Sequence, residues 1–290
     1  MKNLFSQISN AGPKLKNNGQ LKVLSWNVQS PSLERSKRQV EYILEAKADI
    51  LVLTELKNGK GFDNYLMSLE MHGYDCYYHR GDVTGDYITL IATKGLKANI
   101  SQYHRFSGLE PRAILVDVYF KLGAISILGI YMPSFHPDYS TKEKINTKER
   151  FNKQFLSAIT QYFSGSSNRL VLAGDLNILE PKHQPKVRGY EQWESVYKDF
   201  IKLGMFDCFR HISPMAKEHS WISRQNEGHR FDHFFCDVRM AKSVNKCYYD
   251  HSARFDKLSD HSAMFLELFS SSSQETASRC TGRSNSNGLS

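Results

Sequence analysis

The sequence predicts an α/β fold in which two mixed β-sheets pack together and are covered by helices. Short aliphatic and β-branched runs recur along the chain between Gly, Pro, Asn and Asp residues, and such runs are typical of buried strands. Helical patterns separate only some of these runs, so hairpins and crossover connections must both be present. With 290 residues and 40% hydrophobic content, the chain is long enough to bury one large core.

Eight strands are predicted from these runs. In chain order they are 21–26 (LKVLSW), 48–54 (ADILVLT), 87–93 (YITLIAT), 113–120 (AILVDVYF), 124–132 (AISILGIYM), 169–174 (RLVLAG), 231–238 (FDHFFCDV) and 262–269 (SAMFLELF).

Three helices are predicted where apolar residues recur at intervals of three or four. They cover 34–47, 146–163 and 191–203. In the second of them, for example, Phe151, Phe155 and Ile159 share one face.

The two ends of the chain lack the apolar residues that a core needs. Residues 1–20 are polar and without periodicity, so we expect a flexible leader. Residues 270–290 are rich in serine and predict a disordered tail. The folded domain is therefore predicted to span 21–269.

Charge and cysteine content narrow the class of protein. The net charge of +8 favours a polyanionic partner or an anionic surface. No apolar run approaches the roughly 18 residues of a membrane span, and no signal sequence is evident, so we expect a soluble monomer in the cytoplasm, or in the nucleus of a eukaryote, without membrane contact. The five scattered cysteines form no C-x-x-C pair, and we expect them to be reduced.

Polar residues follow three of the predicted strands at the point where each strand ends. Asn27 ends the first, Glu55 follows the second, and Asp175 and Asn177 follow RLVLAG. Ligands of α/β sheets bind at strand carboxyl ends, so these groups can converge on one site. For any one of these residues taken alone, an Asx-turn or a helix cap is the favoured interpretation, and it is their number that points to a site.

Asp232 and His261 form a second candidate set near the end of the chain. Asp232 lies inside an otherwise apolar strand, where a carboxylate is costly unless it is paired. His261 is a natural partner, since a carboxylate fixes the tautomer of an imidazole and stabilises its protonated form. From the residues alone, a catalytic pair and a structural hydrogen bond remain open.

Eight motifs carry a resemblance to a known family over nearly the whole domain. They are SWN (25–27), DILVLTELK (49–57), IYMP (130–133), GDLN (174–177), DCFRHISP (207–214), HSW (219–221), RFDHFF (230–235) and SDH (259–261). Their order and spacing resemble those of the endonuclease/exonuclease/phosphatase superfamily. DCFRHISP and HSW are most similar to its exonuclease III and apurinic/apyrimidinic (AP) endonuclease branch.

The resemblance implies a fold and a set of catalytic residues. The fold is the four-layer, deoxyribonuclease I-like sandwich, with two packed mixed sheets flanked by helices. The implied metal is Mg²⁺, or alternatively Mn²⁺, and hard cations of this kind favour the oxygen ligands that Asn27, Glu55 and Asp260 offer. The implied catalytic residues are Tyr131, Asp175, Asn177, Asp232 and His261.

Substrate contacts are expected on both sides of this set. The candidates are Arg210, Trp221, His229 and Phe231, although a structural role is favoured for Arg210, and Trp221, like Tyr131, is also consistent with a core aromatic residue. Where AP endonucleases carry a large apolar residue, this chain has His229, which weakens the expectation of an abasic-site pocket. Phosphate contacts are expected from basic residues in the flanking segments, namely Lys142, Lys144, Lys148, Lys182, Lys186 and Arg188.

A zinc site at His229 and His233 is excluded by distance. On a strand, residues four apart lie roughly 13 Å from each other, so the two imidazoles cannot share one tetrahedral ion.

These expectations lead to one function and two alternatives. The leading prediction is a metal-dependent phosphodiesterase for DNA, of the AP endonuclease or 3′–5′ exonuclease type in DNA repair. The first alternative is the same fold acting on a phosphotyrosyl–DNA link, RNA or a phosphoinositide, and the second is a non-catalytic nucleic-acid-binding module.

Overall fold

A computed structural model describes residues 19–80, 86–102, 106, 108–120 and 123–269. Residues 1–18 of the expected leader and the expected tail, 270–290, lie outside the described residues.

Fourteen strands and six helices are named in the described chain. The strands are β1 (Gln20–Asn27), β2 (Ile50–Leu56), β3 (Tyr74–Tyr78), β4 (Ile88–Lys94), β5 (Lys97–Ile100), β6 (Ala113–Phe120), β7 (Gly123–Tyr131), β8 (Arg169–Asp175), β9 (Met205–Asp207), β10 (Trp221–Ile222), β11 (Gly228–His229), β12 (Asp232–Asp237), β13 (Val244–Asp250) and β14 (Ala263–Phe269). The helices are α1 (Leu33–Ala46), α2 (Lys60–Met71), α3 (Lys142–Gly165), α4 (Glu194–Lys202), α5 (Cys208–Ile212) and α6 (Ser252–Phe255).

The strands form two six-stranded mixed sheets and one short ribbon. The first sheet has the order β13-β14-β1-β2-β4-β3, and the second has the order β5-β6-β7-β8-β12-β9. Each six-stranded sheet contains one parallel pair, β1 with β2 in the first and β7 with β8 in the second. The ribbon pairs β10 with β11. The predicted combination of hairpins and crossovers is confirmed.

The structure has four layers, which are helices, the first sheet, the second sheet and helices, and a hydrophobic cluster lies between each neighbouring pair. Alternate residues of each central strand point to opposite faces. In β2, Ile50 and Val52 face the second sheet, whereas Leu51 and Leu53 pack under α1 and α2. The second sheet is covered on its outer face by α3 and α4. Because both faces of each sheet are buried, the central strands are continuous apolar runs in the sequence.

All eight predicted strands and all three predicted helices correspond to elements of the structure. The third helix begins as a 3₁₀ turn, Glu191–Trp193, before α4. Six strands and three helices, the longest of them the 12-residue α2, were not predicted. The unpredicted strand β13 lies at a sheet edge and mixes polar with apolar residues (VNKCYYD), so it lacks the continuous apolar run of a central strand.

The four described cysteines are free thiols, as expected for a reduced protein, and Cys280 lies outside the described residues. Within the described ranges, no helix combines the length and the apolar character that a membrane span requires.

Gly174 allows β8 to pass close to β7. Its φ angle is +142°, and a Cβ atom at this position would lie 1.9 Å from the carbonyl oxygen of Ile130. Gly59 has nearly the same φ angle, +146°, but a Cβ atom there would meet nothing within 4 Å.

We predict that Gly174→Ala lowers the free energy of unfolding by about 3–5 kcal/mol, since it adds a backbone clash to the conformational strain. Gly59→Ala carries the strain alone and should cost about 1–2 kcal/mol. Urea unfolding of both variants measures the difference. Equal losses would show that the close approach to Ile130 has no energetic weight.

Candidate active site

A cavity of about 970 Å³ lies where the central strands of both sheets end. Six of the residues predicted from strand ends and motifs line it, namely Asn27, Glu55, Tyr131, Asp175, Asn177 and His261. Three of the predicted substrate contacts, Trp221, His229 and Phe231, line it as well. Asp232, Asp260 and Arg210 are not among its lining residues.

Strand register explains why residues remote in sequence meet here. In the second sheet, Asp175 is paired with Tyr131 on one side and with Asp232 on the other. The first sheet contributes Asn27 from β1, whose amide Nδ2 donates to Asp175 Oδ2 over 2.9 Å. The site therefore joins the two sheets through a direct side-chain hydrogen bond.

A β-bulge places Glu55 at the cavity. The register of β2 against β4 shifts between Leu53 and Leu56, and Glu55 itself has a φ angle of +61°. Bulges of this kind redirect a side chain near the end of a strand. The carbonyl oxygen of Glu55 accepts from the backbone N–H of Ser30 at 2.9 Å, which stabilises the irregular backbone.

Asp175 combines a turn with a position in the site. Its Oδ1 accepts from the backbone N–H of Asn177 at 3.0 Å, which is the Asx-turn considered from the sequence. Its Oδ2 lies in the cavity beside Asn27 and 3.9 Å from Nε2 of His261. The two interpretations of this residue are thus compatible, since each oxygen has a different role.

His261 is held by Asp232. Nδ1 of the imidazole lies 2.7 Å from Oδ2 of Asp232, and both residues are buried. Burial alone would lower the pKa of His261, but the neighbouring carboxylates, Asp232 foremost, outweigh it and raise the pKa to about 10. The imidazole is therefore positively charged at neutral pH, with Nε2–H directed away from Asp232 as a donor.

Burial raises the pKa of Asp175 above the usual range of an aspartate, and the positive charge of His261 opposes the shift. A carboxylate with a raised pKa is better able to accept a proton at neutral pH. Asp175, Asp232 and His261 each offer a ligand atom within 4.8 Å of the others, a spacing that could hold a metal ion. Nδ1 of His261 is already bonded to Asp232, so Nε2 is the nitrogen of the imidazole that faces Asp175.

Glu55 and Asp260 have the character of cation ligands. Burial raises the pKa of Glu55, and the negative charge of Asp260 adds to the shift. Oδ2 of Asp260 accepts from Nε1 of Trp221 at 3.0 Å, whereas its buried Oδ1 has no hydrogen-bond partner among the described residues. Two neighbouring carboxylates with an unsatisfied oxygen fit a divalent cation. A bound cation would offset the repulsion between the two carboxylates and would give the unsatisfied oxygen a partner.

Tyr131 and Asn177 line the cavity next to Asp175. Burial and the nearby carboxylates raise the pKa of Tyr131 far above its usual range, so its hydroxyl remains a donor. Nδ2 of Asn177 donates to the carbonyl oxygen of Met132 at 3.1 Å, which fixes the orientation of the amide. Two residues missed from the sequence, Tyr87 and Arg112, pack on Tyr131, with the Arg112 guanidinium 5.0 Å from the ring centroid.

Buried aromatic rings form the wall of the cavity beside His261. His229 stacks on Phe231 with ring centroids 5.1 Å apart, and Tyr190, which was not predicted, stacks on the same Phe231 at 5.4 Å. His229 and His233 have separate surroundings, since His233 lies 3.5 Å from Asp207 instead. The exclusion of a shared zinc ion therefore agrees with the structure.

Arg210 belongs to a buried ionic network outside the cavity. Its guanidinium contacts both carboxylate oxygens of Glu180 at 2.5 Å. The fully buried Arg230 lies 3.0 Å from Glu180 and 2.6 Å from Asp207. These two arginines lower the pKa of Glu180 to about 2 in spite of its burial. The structure thus places Arg210 in support of the segment that precedes Asp232, not in contact with the cavity.

The expectation that Lys148 contacts phosphate from solvent is wrong. Its side chain is fully buried, and Nζ donates to the carbonyl oxygens of Pro133 and Asn177 at 2.7 and 3.0 Å. The lysine thereby links the two loops that follow β7 and β8. Its spacing from Asn152 and Phe155 places Lys148 on the inward face of α3. The sequence therefore contained the information, but a lysine is normally expected on the solvent face. Burial lowers the pKa of Lys148 to about 7.

Three further residues support the site and were given no role from the sequence, although Ser220 and Ser259 lie within the HSW and SDH motifs. Ser220 Oγ accepts from the backbone N–H of Asp232 at 3.1 Å, and Tyr249 donates to the carbonyl oxygen of Asp232 at 2.6 Å. Ser259 donates to the carbonyl oxygen of Asn27 at 2.7 Å and accepts from the N–H of His261 at 3.2 Å. Hydroxyl groups of this kind leave no distinctive pattern in a single sequence.

The chain is similar in sequence to proteins of one family. Residues 24–261 match the "Endonuclease/Exonuclease/phosphatase family". A "DNA-(apurinic or apyrimidinic site) endonuclease" of Dictyostelium discoideum is 23% identical over 248 residues, which are 80% of this chain and 66% of that relative. An "Exodeoxyribonuclease" of Bacillus subtilis is 23% identical over 240 residues, which are 77% of this chain and 91% of that relative.

The fold also matches solved structures. An AP endonuclease from Archaeoglobus fulgidus superposes with a TM-score of 0.69 at 21% identity, over 86% of this chain and 99% of that one. The predicted four-layer, deoxyribonuclease I-like fold and the resemblance to the exonuclease III and AP endonuclease branch are confirmed.

We predict that Lys148 makes stability depend on pH. An unfolded lysine binds its proton up to about pH 10.4, whereas the buried one loses it near pH 7. The unfolded state therefore binds more protons between these values, and the contribution of Lys148 to stability rises with pH across this window. The free energy of unfolding of the wild type should increase, relative to that of Lys148→Met, from pH 7 to 10. Lys153→Met, an exposed lysine of the same helix, is the control. A slope for Lys148→Met no different from the control would contradict the prediction.

Proposed function

Because the chain belongs to the endonuclease/exonuclease/phosphatase family, whose members are hydrolases of phosphoester bonds, we propose that it is a divalent-metal-dependent phosphodiesterase that cleaves DNA. The activity would be of the AP endonuclease or 3′–5′ exonuclease type. The observation that carries this proposal is the convergence of Glu55, Asp175 and His261 on one cavity from three distant segments.

The donor set fits a hard divalent cation, Mg²⁺ or Mn²⁺. Glu55 and Asp260 would hold it, with Asn27 beside them, and the few protein ligands would leave room for the waters that Mg²⁺ keeps. When bound, the cation would neutralise charge on the phosphoryl oxygens.

Asp175 is placed to activate the attacking water. Its raised pKa favours proton acceptance, and the hydrogen bonds from Asn27 and from the backbone of Asn177 hold the carboxylate in one orientation. A fixed carboxylate needs no reorganisation when the water attacks, which lowers the barrier.

His261 and Tyr131 are placed to stabilise charge as it develops. Nε2–H of the protonated His261 would donate to a phosphoryl oxygen, while Asp232 holds the ring from the opposite nitrogen. The neutral hydroxyl of Tyr131 would donate to a phosphoryl oxygen or to the leaving oxygen. Donors fixed in a site that excludes water are worth far more than the same donors in bulk solvent.

DNA is the proposed substrate because charge and family relationships agree. The two named relatives are an AP endonuclease and an exodeoxyribonuclease. Lys144, Lys186 and Arg188 are exposed and line the same cavity, so they can contact the phosphates on either side of the one that reacts.

A direct comparison of substrates tests the proposal. The purified protein is incubated with an abasic duplex, an intact duplex, RNA and an inositol phosphate, each with Mg²⁺ and with EDTA. Mg²⁺-dependent cleavage of either DNA duplex supports the proposal, and the product ends distinguish internal cleavage from 3′ trimming. Cleavage of RNA or inositol phosphate alone would replace it with a different substrate class.

Glu55→Gln should remove most activity and weaken the dependence on Mg²⁺, because it deletes a negative ligand while keeping the shape of the side chain. Glu227→Gln is the matched control, since Glu227 is exposed and lines the same cavity. Rates measured across a Mg²⁺ titration give both effects. Near-normal turnover of Glu55→Gln would contradict the metal assignment.

His261→Ala should slow the reaction by at least about a hundredfold, the scale expected on loss of a transition-state donor. His251→Ala is the control, because His251 lies 3.2 Å from Glu218 in a similar pair that does not line the cavity. Single-turnover rates at saturating protein isolate the chemical step. A loss of only a few-fold for His261→Ala would assign it a structural role.

A further inference from the structure

Tyr139 presents an aromatic ring to solvent at the mouth of the cavity. Its side chain is 75% exposed, and it lines the cavity together with His136. The two ring centroids are 4.4 Å apart with an interplanar angle of 34°. His136 thus supports one side of the tyrosine ring, and solvent reaches the rest of it.

The loop that carries this ring is internally braced. Ser140 Oγ accepts from the N–H of His136 at 2.9 Å, and the N–H of Ser140 donates back to the carbonyl oxygen of His136 at 3.0 Å. Tyr190 donates to the carbonyl oxygen of Phe135 at 2.6 Å and anchors the start of the loop. A loop braced in this way loses little conformational freedom when a ligand stacks on the ring that it carries.

Three cations without carboxylate partners line the same cavity as this ring. Lys144, Lys186 and Arg188 line the same cavity and are exposed. Within the described part of the chain, none of the three lies within ion-pair distance of an acidic group. Uncompensated cations beside an exposed aromatic ring are the combination that binds a nucleic-acid strand through its phosphates and stacks its bases.

Apart from His136, the other rings of the cavity are less accessible than Tyr139. His229, Phe231 and Tyr190 are stacked on one another and are each less than a tenth exposed. Trp221 and Tyr87 are only partly exposed, and each contacts another side chain of the site. A base in the interior of a duplex is also unsuitable, because its neighbours cover both of its faces. The exposed ring at the cavity mouth therefore fits a base that is out of the duplex stack.

We propose that Tyr139, supported by His136, is a stacking platform for one unpaired nucleobase of the DNA strand whose phosphate reacts in the cavity. This proposal rests on the proposed function and specifies the substrate further, as DNA with an unpaired nucleotide near the scissile bond. Lys144, Lys186 and Arg188 would contact the flanking phosphates of the same strand.

A two-by-two comparison of protein and DNA tests the platform. Binding to a duplex with a short single-stranded 3′ tail is measured by fluorescence anisotropy in EDTA, which prevents cleavage. Tyr139→Ala should weaken binding roughly 5- to 100-fold, the scale of one base–aromatic stack, whereas Tyr139→Phe keeps the ring and should bind within about twofold of the wild type. In the DNA, each tail nucleotide is replaced in turn by an abasic analogue. At one position this replacement should abolish the difference between the wild type and Tyr139→Ala.

Two results would overturn the platform. One is an equal loss for Tyr139→Ala at every abasic position, or no loss at all. The other is the same loss on a blunt duplex, which would indicate stacking on a terminal base pair. The cleavage assay with Mg²⁺ separates this inference from the proposed function. If the wild type cleaves DNA but the effect of Tyr139→Ala does not depend on any one base, the platform alone is refuted. If the wild type cleaves no DNA, the proposed function is refuted.

Salt dependence supplies a second, independent readout. Lys186→Ala should weaken binding to every DNA by a similar factor and reduce the slope of log K against log salt by about 1. Tyr139→Ala should leave that slope unchanged, because stacking releases no counterions. A reduced slope for Tyr139→Ala would show that the ring acts through the phosphate contacts, against the platform.

Discussion

Asp175 and Asp232 face each other across neighbouring antiparallel strands, both almost fully buried, and the imidazole of His261 lies against both of them. Burial disfavours the charged form of Asp175 and raises its pKa, and a positive charge beside it opposes that shift. The protonated imidazole supplies that charge and is itself stabilised by the neighbouring carboxylates. The position of the His261 ring, the protonation of Asp175 and the integrity of the strand ends are therefore coupled.

The surrounding structure serves to keep this arrangement fixed. Asn27 links Asp175 to the first sheet, and Ser259 links Asn27 to the segment that carries His261. Lys148 of α3 joins the loops after β7 and β8, because its Nζ donates to one carbonyl oxygen in each loop. Each support is a short hydrogen bond from a buried group, so a small displacement of any one loop would leave a polar atom unsatisfied.

Much of the site could be predicted from the sequence because strand ends leave a clear signal. GDLN and SWN place polar residues after apolar runs, and two sheets with their strand ends at one edge bring them together. The position of Glu55 depends on a bulge in β2, which no local pattern announces. Lys148 was misjudged because lysine is normally solvated, and its burial depends on two carbonyl oxygens from distant loops. The partner of Asp260, Trp221, lies 39 residues away and joins it only through tertiary packing.

The arrangement of the first sheet has a consequence for the order in which the protein becomes competent during synthesis. The first strand, β1, lies between β2 and β14, the last strand described, and His261 lies two residues before β14. A nascent chain that has made every residue up to Asp232 still lacks the imidazole and the neighbour of its first strand. The set of side chains around the cavity is thus completed only when the segment that carries His261 and β14 has left the ribosome, and a chain that stops before this segment would lack both the imidazole and an inner strand of the first sheet.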